Sequence, residues 1–225
     1  MAGQVSKEEA GTVLMQAMLA AKNLRPQRDR LMQLRRRLQQ LSPGEDDKAA
    51  VQELATNLFK VYYIGIEAGA RSIATCLELA AENGARLALN PSFAVMPDQH
   101  LYSALLTQRL PARPTTQKEA FARVEATFYA VKLAQEHYLP RCIEHLVGDR
   151  PPLPAQAAVS GSVDLDKART CLNHACTLVS LAVKHIDLAV VVISRFVNPE
   201  EVASLSDFTD KFAYISEDGP YPASD

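Results

Sequence analysis

Two cysteine–histidine pairs are the residues whose types and spacing most clearly suggest chemistry. Cys142 precedes His145 by three positions in "RCIEH", and Cys171 precedes His174 by three positions in "RTCLNH". Residues three apart share a face of an α-helix, so each pair could chelate one ion. If the two helices packed antiparallel with the pairs at similar height, the four side chains would complete the tetrahedral Cys2His2 set of a structural zinc site.

The same residues also fit a metal-free helical core. Cysteine behaves as a small apolar residue that is often buried, and Cys142 and Cys171 both lie on apolar stripes. Pro140 is expected to kink the helix just before Cys142, which changes the direction in which that pair faces. We therefore expect packed core residues and no cofactor, with structural zinc as the alternative.

A second pattern overlaps the later pair. Arg169 and His174 form an R-x4-H motif near the start of a helix. This motif resembles the signature of the HEPN ribonuclease superfamily, in which many members carry a polar residue such as Asn at the position of Thr170. The resemblance implies RNA cleavage by Arg169 and His174, usually across a dimer interface. No nucleotide-binding glycine loop, Gly-x-Ser-x-Gly elbow or His-Glu-x-x-His motif is present, so nothing in the sequence requires an enzyme.

An arginine-rich leucine repeat follows Pro26. Its leucines recur in alternating steps of three and four, as along the seam of a coiled coil. Such a seam needs a partner helix from the same chain or another, so we expect it to mediate protein–protein interaction or self-association. Its arginines also suggest RNA binding through residues 25–37, or contact with an anionic surface. The predicted interaction residues are Arg28, Leu31, Leu34, Arg35, Leu38 and Leu41.

Charge is unevenly distributed along the chain. The 225 residues are 48% hydrophobic and 22% charged, which is ordinary for a globular protein. The net charge of -2 argues against a generally basic nucleic-acid-binding protein. However, residues 6–41 carry eight Lys/Arg against three acids, whereas residues 199–225 carry seven acids against one Lys. The acidic segment is therefore a possible partner for the basic one.

The most apolar run spans residues 175–197 and is long enough to cross a membrane. It contains Lys184, His185 and Asp187 near its middle, where such groups are costly in a bilayer. We therefore expect a buried core helix and no transmembrane span. The polar start of the sequence lacks the pattern of a secretory signal, so we expect an intracellular, cytoplasmic location.

Proline and glycine clusters divide the sequence into helical segments. None of the segments shows the alternating β-branched pattern of a strand, so we predict an all-α fold, a helical bundle of four long helices plus two short ones. Gly65 and Gly69 indicate a close approach by another helix. The predicted segments are 6–41 with a break or kink at Pro26, about 47–89, a short 98–110, Thr116 to about Gly148, 164–197, and a short helix from Pro199 to about Ile215.

Three parts and one function follow from these patterns. Residues 1–41 form a basic amphipathic helical segment that packs on or projects from the bundle, residues 42–215 form the bundle core, and residues 216–225 form a disordered acidic tail. We expect a non-enzymatic protein that acts as an adaptor or complex subunit. The alternative is an RNA-acting protein, either a HEPN-like ribonuclease using Arg169 and His174 or an RNA binder using residues 25–37.

Overall fold

A computed structural model describes residues 7–42, 48–82, 93–148 and 163–212. These residues form an all-α bundle, as predicted, and they include no strand. Short 3-10 turns occur at Phe93–Val95 and Ser194–Phe196. The helices are α1 (Lys7–Gln40), α2 (Lys48–Lys60), α3 (Glu67–Glu82), α4 (Asp98–Thr107), α5 (Gln117–Leu133), α6 (Leu139–Val147), α7 (Leu165–Ile193) and α8 (Pro199–Phe212).

Two of the long helices are interrupted by π-helical segments. The first π-bulge, Val61–Ile66, joins α2 to α3, and the second π-bulge, Ala134–Tyr138, joins α5 to α6. Each pair of helices therefore runs on as one rod. With α1 and α7 they make four long elements, and α4 and α8 are the two short ones, in agreement with the predicted architecture.

Of the break or kink predicted at Pro26, the break is wrong, because α1 continues through the proline from Lys7 to Gln40. A proline inside a helix costs about 3 kcal/mol or more, because it removes a hydrogen bond and its ring meets the preceding turn. Against this cost, Leu24, Leu31 and Leu38 are fully buried on both sides of the proline. Each such burial contributes about 1.5–3 kcal/mol, so packing outweighs the defect.

α1 packs inside the bundle against α3, α7, α8 and α2. It runs antiparallel to the α2–α3 rod, since Arg37 pairs with Glu53 at one end and the Cys76 thiol donates to the Val13 carbonyl toward the other. The N-terminal segment therefore packs on its own bundle. The partner helices of its leucine seam come from the same chain.

Close helix contact explains both glycines of the α2–α3 rod. A Cβ added to Gly65 would lie 2.0 Å from Cδ of Gln27, and one added to Gly69 would lie 2.6 Å from Cδ2 of Leu24. Both partners lie on α1, and Leu24 is fully buried. The side-chain-free surface therefore sets how near α1 approaches the rod.

The α5–α6 rod begins at the predicted residue. The Thr116 hydroxyl accepts a hydrogen bond from the Glu119 backbone N–H (3.2 Å), and the Glu119 carboxylate accepts one from the Thr116 N–H (3.2 Å). This reciprocal capping box satisfies backbone donors that have no partner inside the helix. Further along the rod, the second π-bulge ends at Tyr138, two residues before Pro140, where the sequence indicated a kink.

α7 packs against α5, α1 and α6. The helical stretch Leu165–Phe196 is long and apolar enough to cross a membrane by length and composition, and 56% of its most apolar window is buried inside the bundle. A core helix of a globular protein passes the same test. Parts of several predictions fall outside the described residues: position 6 of the first segment, residues 83–89 of the second, Ile215, and the tail 216–225.

We expect Gly69→Ala to destabilise the fold by about 1–3 kcal/mol, because the new methyl group overpacks the contact with Leu24. In a Leu24→Ala background the space is open, and the same substitution should stabilise by up to about 1 kcal/mol through the higher helix propensity of alanine. Urea unfolding followed by circular dichroism measures both values. Equal effects in the two backgrounds would show that the contact is not tight.

Candidate functional site

The first candidate zinc pair lies in the α6–α7 interface. The Cys142 thiol is fully buried and donates to the Ala168 carbonyl (3.3 Å). One turn further along α6, the His145 carbonyl accepts a hydrogen bond from the Asp164 N–H (2.9 Å). Burial raises the pKa of the Cys142 thiol, which opposes the thiolate form that a metal requires. The first pair is therefore level with the start of α7.

The second pair lies further along α7, level with the second π-bulge. The His174 ring packs against Tyr138 of that bulge, with ring centroids 4.9 Å apart. Antiparallel packing therefore places the two Cys-x-x-His pairs at different heights, whereas a shared zinc site would need them at similar height. Among the residues that the structure describes, which include all four candidates, no three His, Cys, Asp or Glu side chains gather in a way that could hold a metal ion.

Arg169 stabilises the C-terminal end of α1. Its guanidinium donates to the carbonyls of Leu38 (3.3 Å) and Leu41 (2.5 Å) and pairs with Asp166 (2.9 Å). The last carbonyls of a helix have no partner inside it, so these bonds satisfy groups that would otherwise need water. Arg169 and His174 are five residues apart, so their side chains leave the helix in directions about 140° apart. Within one chain the R-x4-H pair is therefore not assembled as a site.

His174 belongs to an aromatic cluster that sequence reasoning missed. Its ring centroid lies 4.6 Å from that of Tyr102 on α4. Tyr102 and Tyr138 meet edge to face, and the neighbouring His137 pairs through Nδ1 with Asp98 (2.5 Å). Burial lowers the pKa of His174, which favours its neutral form. The cluster attaches α4 to the α5–α6 rod and to α7, and its members are too far apart in sequence for any local pattern to reveal it.

Arg123 and His185 form a buried pair between α5 and α7. They are 3% and 6% exposed, and Arg123 Nη1 lies 2.9 Å from His185 Nδ1. Arg123 Nη2 donates to the Pro111 carbonyl. A guanidinium can only donate, so His185 accepts through Nδ1. Burial, with the adjacent guanidinium, lowers the pKa of His185 to about 4 and keeps the ring neutral.

The arginines of α1 lie on the outer side of the bundle, and several are paired with acids. Arg25 pairs with Asp187 (2.7 Å), and Arg28 pairs with its neighbour Asp29 (2.9 Å). Arg35 is half-buried. The leucines between them point inward: Leu31, Leu34 and Leu38 are 0%, 6% and 0% exposed, and Leu41 packs partly buried against the core.

A basic groove lies between α1 and α2. It encloses about 320 Å³ and is lined by Arg30, Gln33, Leu34, Arg37, Asn57, Lys60 and Val61. Two guanidinium groups, one ammonium group and two amides therefore surround a partly apolar floor. Arg37 already holds one carboxylate in a bidentate arrangement, since Nη1 and Nη2 each donate to an oxygen of Glu53 at 3.0 Å.

The sequence pointed to only half of this groove. Arg30, Leu34 and Arg37 belong to the arginine-rich leucine repeat that follows Pro26. Asn57 and Lys60 come from α2 and were missed, because they share no motif with α1. The only sequence signal for their position is the helical hairpin itself, which brings residues on both sides of the short connection 41–47 together.

No protein-family model, curated protein or solved structure matches this chain. Function is therefore inferred from the chemistry and geometry of the described residues.

We expect Arg169→Ala to lower the free energy of unfolding by about 1–3 kcal/mol, because it leaves the carbonyls of Leu38 and Leu41 without their donor. Arg36→Ala is the matched control, since Arg36 is exposed on α1 and its removal should change stability by no more than about 0.5 kcal/mol. Thermal and urea unfolding measure both. Equal stability of the two variants would contradict the capping role.

We expect His185→Gln to remove a pH-dependent contribution to stability. In the unfolded chain the His185 ring takes up a proton near pH 6.5, whereas in the folded protein it does so only near pH 4. The contribution of neutral His185 is therefore complete above pH 6.5, declines as the pH falls, and is lost at about pH 4. The difference between the two pKa values corresponds to about 3 kcal/mol.

The measurement is urea unfolding of wild type and His185→Gln between pH 4 and pH 7.5. The stability of wild type should fall relative to that of the variant as the pH decreases. His100→Gln is the control, because His100 is exposed and should leave the wild-type profile unchanged. Parallel profiles for wild type and His185→Gln would contradict the assignment.

Proposed function

We propose that this protein is a non-enzymatic helical-bundle binding protein, and that its basic groove receives an acidic segment of a partner protein. The groove between α1 and α2 is the observation that supports this proposal most directly. Its volume of about 320 Å³ accommodates a few side chains of a partner, which is a small but formed recognition site.

The groove chemistry favours carboxylates. The two nitrogens of Arg37 hold Glu53 at 3.0 Å each, which is the planar, bidentate geometry that guanidinium groups offer to carboxylates. Arg30 and Lys60 add positive charge beside it, and both line the same space. Leu34 and Val61 supply an apolar floor for the carbon stems of a partner's side chains. An acidic segment with some apolar character fits these groups.

The proposed interaction surface differs from the one that the sequence suggested. Leu31 and Leu38 are fully buried by their own chain, so they have no surface left to offer to a partner. Arg28 pairs with Asp29 outside the groove lining. The binding surface is therefore assigned to the polar side of α1 together with α2.

One observation favours a second candidate function, the binding of single-stranded RNA. Tyr63 is 60% exposed and stacks on Phe59 with ring centroids 4.8 Å apart. It follows Lys60 by three residues, so it lies about one helical turn away. Exposed aromatic rings beside basic side chains are the groups on which single-stranded nucleic acids stack. The groove itself lacks such a ring among its lining residues, which favours the acidic protein segment.

We expect a fluorescein-labelled, Glu-rich helical peptide to bind the full chain in a salt-dependent manner, as measured by fluorescence anisotropy. Arg30→Glu/Lys60→Glu should weaken binding by about tenfold or more, because it places like charges against the peptide. Lys118→Glu/Arg195→Glu makes the same change in net charge at exposed positions that do not line the groove. This control should bind like wild type.

Equal loss in the two variants would mean that net charge alone attracts the peptide. No binding by wild type would overturn the proposal. A labelled oligouridine run in parallel tests the second candidate: binding that is lost in Tyr63→Ala would support RNA as the ligand.

A further inference from the structure

The structure contains an acidic helix whose outward charges match the groove. We infer that helix α8 of a second copy of this chain binds in the basic groove. This inference rests on the proposed function, because it names the acidic segment that the groove receives. It goes further in making the protein its own partner.

Helix α8 has two distinct faces. Val202 and Leu205 pack partly buried against the core, and Thr209 is fully buried. On the opposite side Glu200 and Asp207 are exposed. The residues between them on that side, Ala203 and Ser204, are small and also exposed, so nothing bulky separates the acids from an approaching surface.

The spacing of charges is the same on both surfaces. Glu200 and Asp207 are seven residues apart on α8, and Arg30 and Arg37 are seven residues apart on α1. Seven residues make about two helical turns, or roughly 10.5 Å along the axis. Two helices packed alongside each other can therefore bring both acids to the two arginines at once, with one acid competing with Glu53 for the Arg37 guanidinium. Lys60 on the α2 side of the groove adds a third cation.

The chain's own α8 is held away from its own groove. Lys22 pairs with Asp210 and donates to the Ser206 carbonyl (3.1 Å), and Glu201 lies against Gly11. These contacts place α8 beside the N-terminal half of α1, whereas the groove uses Arg30 to Arg37 of the other half. They use Glu201 and Asp210, which are exposed and flank the inward face of α8, and leave Glu200 and Asp207 outward. A second copy is the source of an acidic helix that satisfies both constraints.

The contact has the character of a reversible association. Ion pairs between exposed side chains are individually weak and are screened by salt. Each copy carries one groove and one α8, so two copies can exchange both contacts and form a closed dimer. If the geometry does not close, the same contact adds copies head to tail. In both cases the groove, α8 and the salt concentration control association.

The test is sedimentation equilibrium of the full chain over a range of protein and salt concentrations. Wild type should self-associate at low salt and dissociate at high salt. Arg30→Glu/Lys60→Glu and Glu200→Lys/Asp207→Lys should each weaken self-association by about tenfold or more, because each opposes like charges. Lys118→Glu/Arg195→Glu is the control and should associate like wild type. Circular dichroism establishes that every variant is folded.

A charge swap separates direct contact from indirect effects. The groove-reversed variant presents acids where the α8-reversed variant presents lysines. A mixture of the two should therefore associate, although each alone is monomeric. A wild type that stays monomeric at low salt and yet binds the Glu-rich peptide would overturn this inference and leave the proposed function standing. Self-association that survives both reversals would also overturn it, and failure to bind the peptide would remove the proposed function itself.

Discussion

The close packing of α1 against the side-chain-free surface of the α2–α3 rod is the constraint on which much of the structure depends. Gly65 and Gly69 have no Cβ, and Gln27 and Leu24 of α1 occupy the space where one would be. This close contact fixes the register of the antiparallel hairpin. The groove lies further along the same hairpin, between α1 and α2. The geometry of the candidate site is therefore set by packing several turns away from it.

The same close packing explains how α1 tolerates its irregularities. Pro26 is the neighbour of Gln27, which lies against Gly65 in the first π-bulge of the facing rod. The proline of α1 and the π-bulge of the rod therefore lie at the same height in the bundle. A π-bulge changes the phase of the residues that follow it. Asn57 and Lys60 before the bulge and Val61 at its start line the groove, whereas Gly65 and Gly69 face the core. The α2 part of the rod thus carries a groove-lining edge beside its own buried face, which consists of Val51, Leu54, Ala55 and Leu58.

The interior carries two titratable groups that respond to pH in opposite directions. His185 is kept neutral by burial and by Arg123, so its contribution favours the folded state at higher pH. Glu125 is 3% exposed, and burial raises its pKa to about 7, so its contribution favours the folded state at lower pH. As the pH changes between the pKa values of these two groups, the stability gained from one group offsets the stability lost from the other. Single substitutions would expose a dependence that the intact protein partly conceals.

Local patterns in the sequence were enough to predict the all-α class, the number of long and short helices, and the start of the α5–α6 rod at Thr116. They failed where the outcome depends on partners distant in sequence. Pro26 disrupts an isolated helix, but the buried leucines on either side keep α1 continuous. The two Cys-x-x-His pairs have the spacing of ligands, yet the register between α6 and α7 separates them. Half of the groove comes from α2, which no motif on α1 could indicate.

Arg169 also carries a consequence for biosynthesis. Its hydrogen bonds reach back 131 positions to Leu38 and 128 positions to Leu41. A ribosome that has completed α1 must therefore synthesise most of the remaining bundle before the donor for these carbonyls exists. Until then α1 lacks both α7 as a packing surface and its terminal hydrogen bonds, so part of its apolar face stays uncovered. Assembly of this bundle is therefore expected to follow translation of α7 rather than to proceed helix by helix.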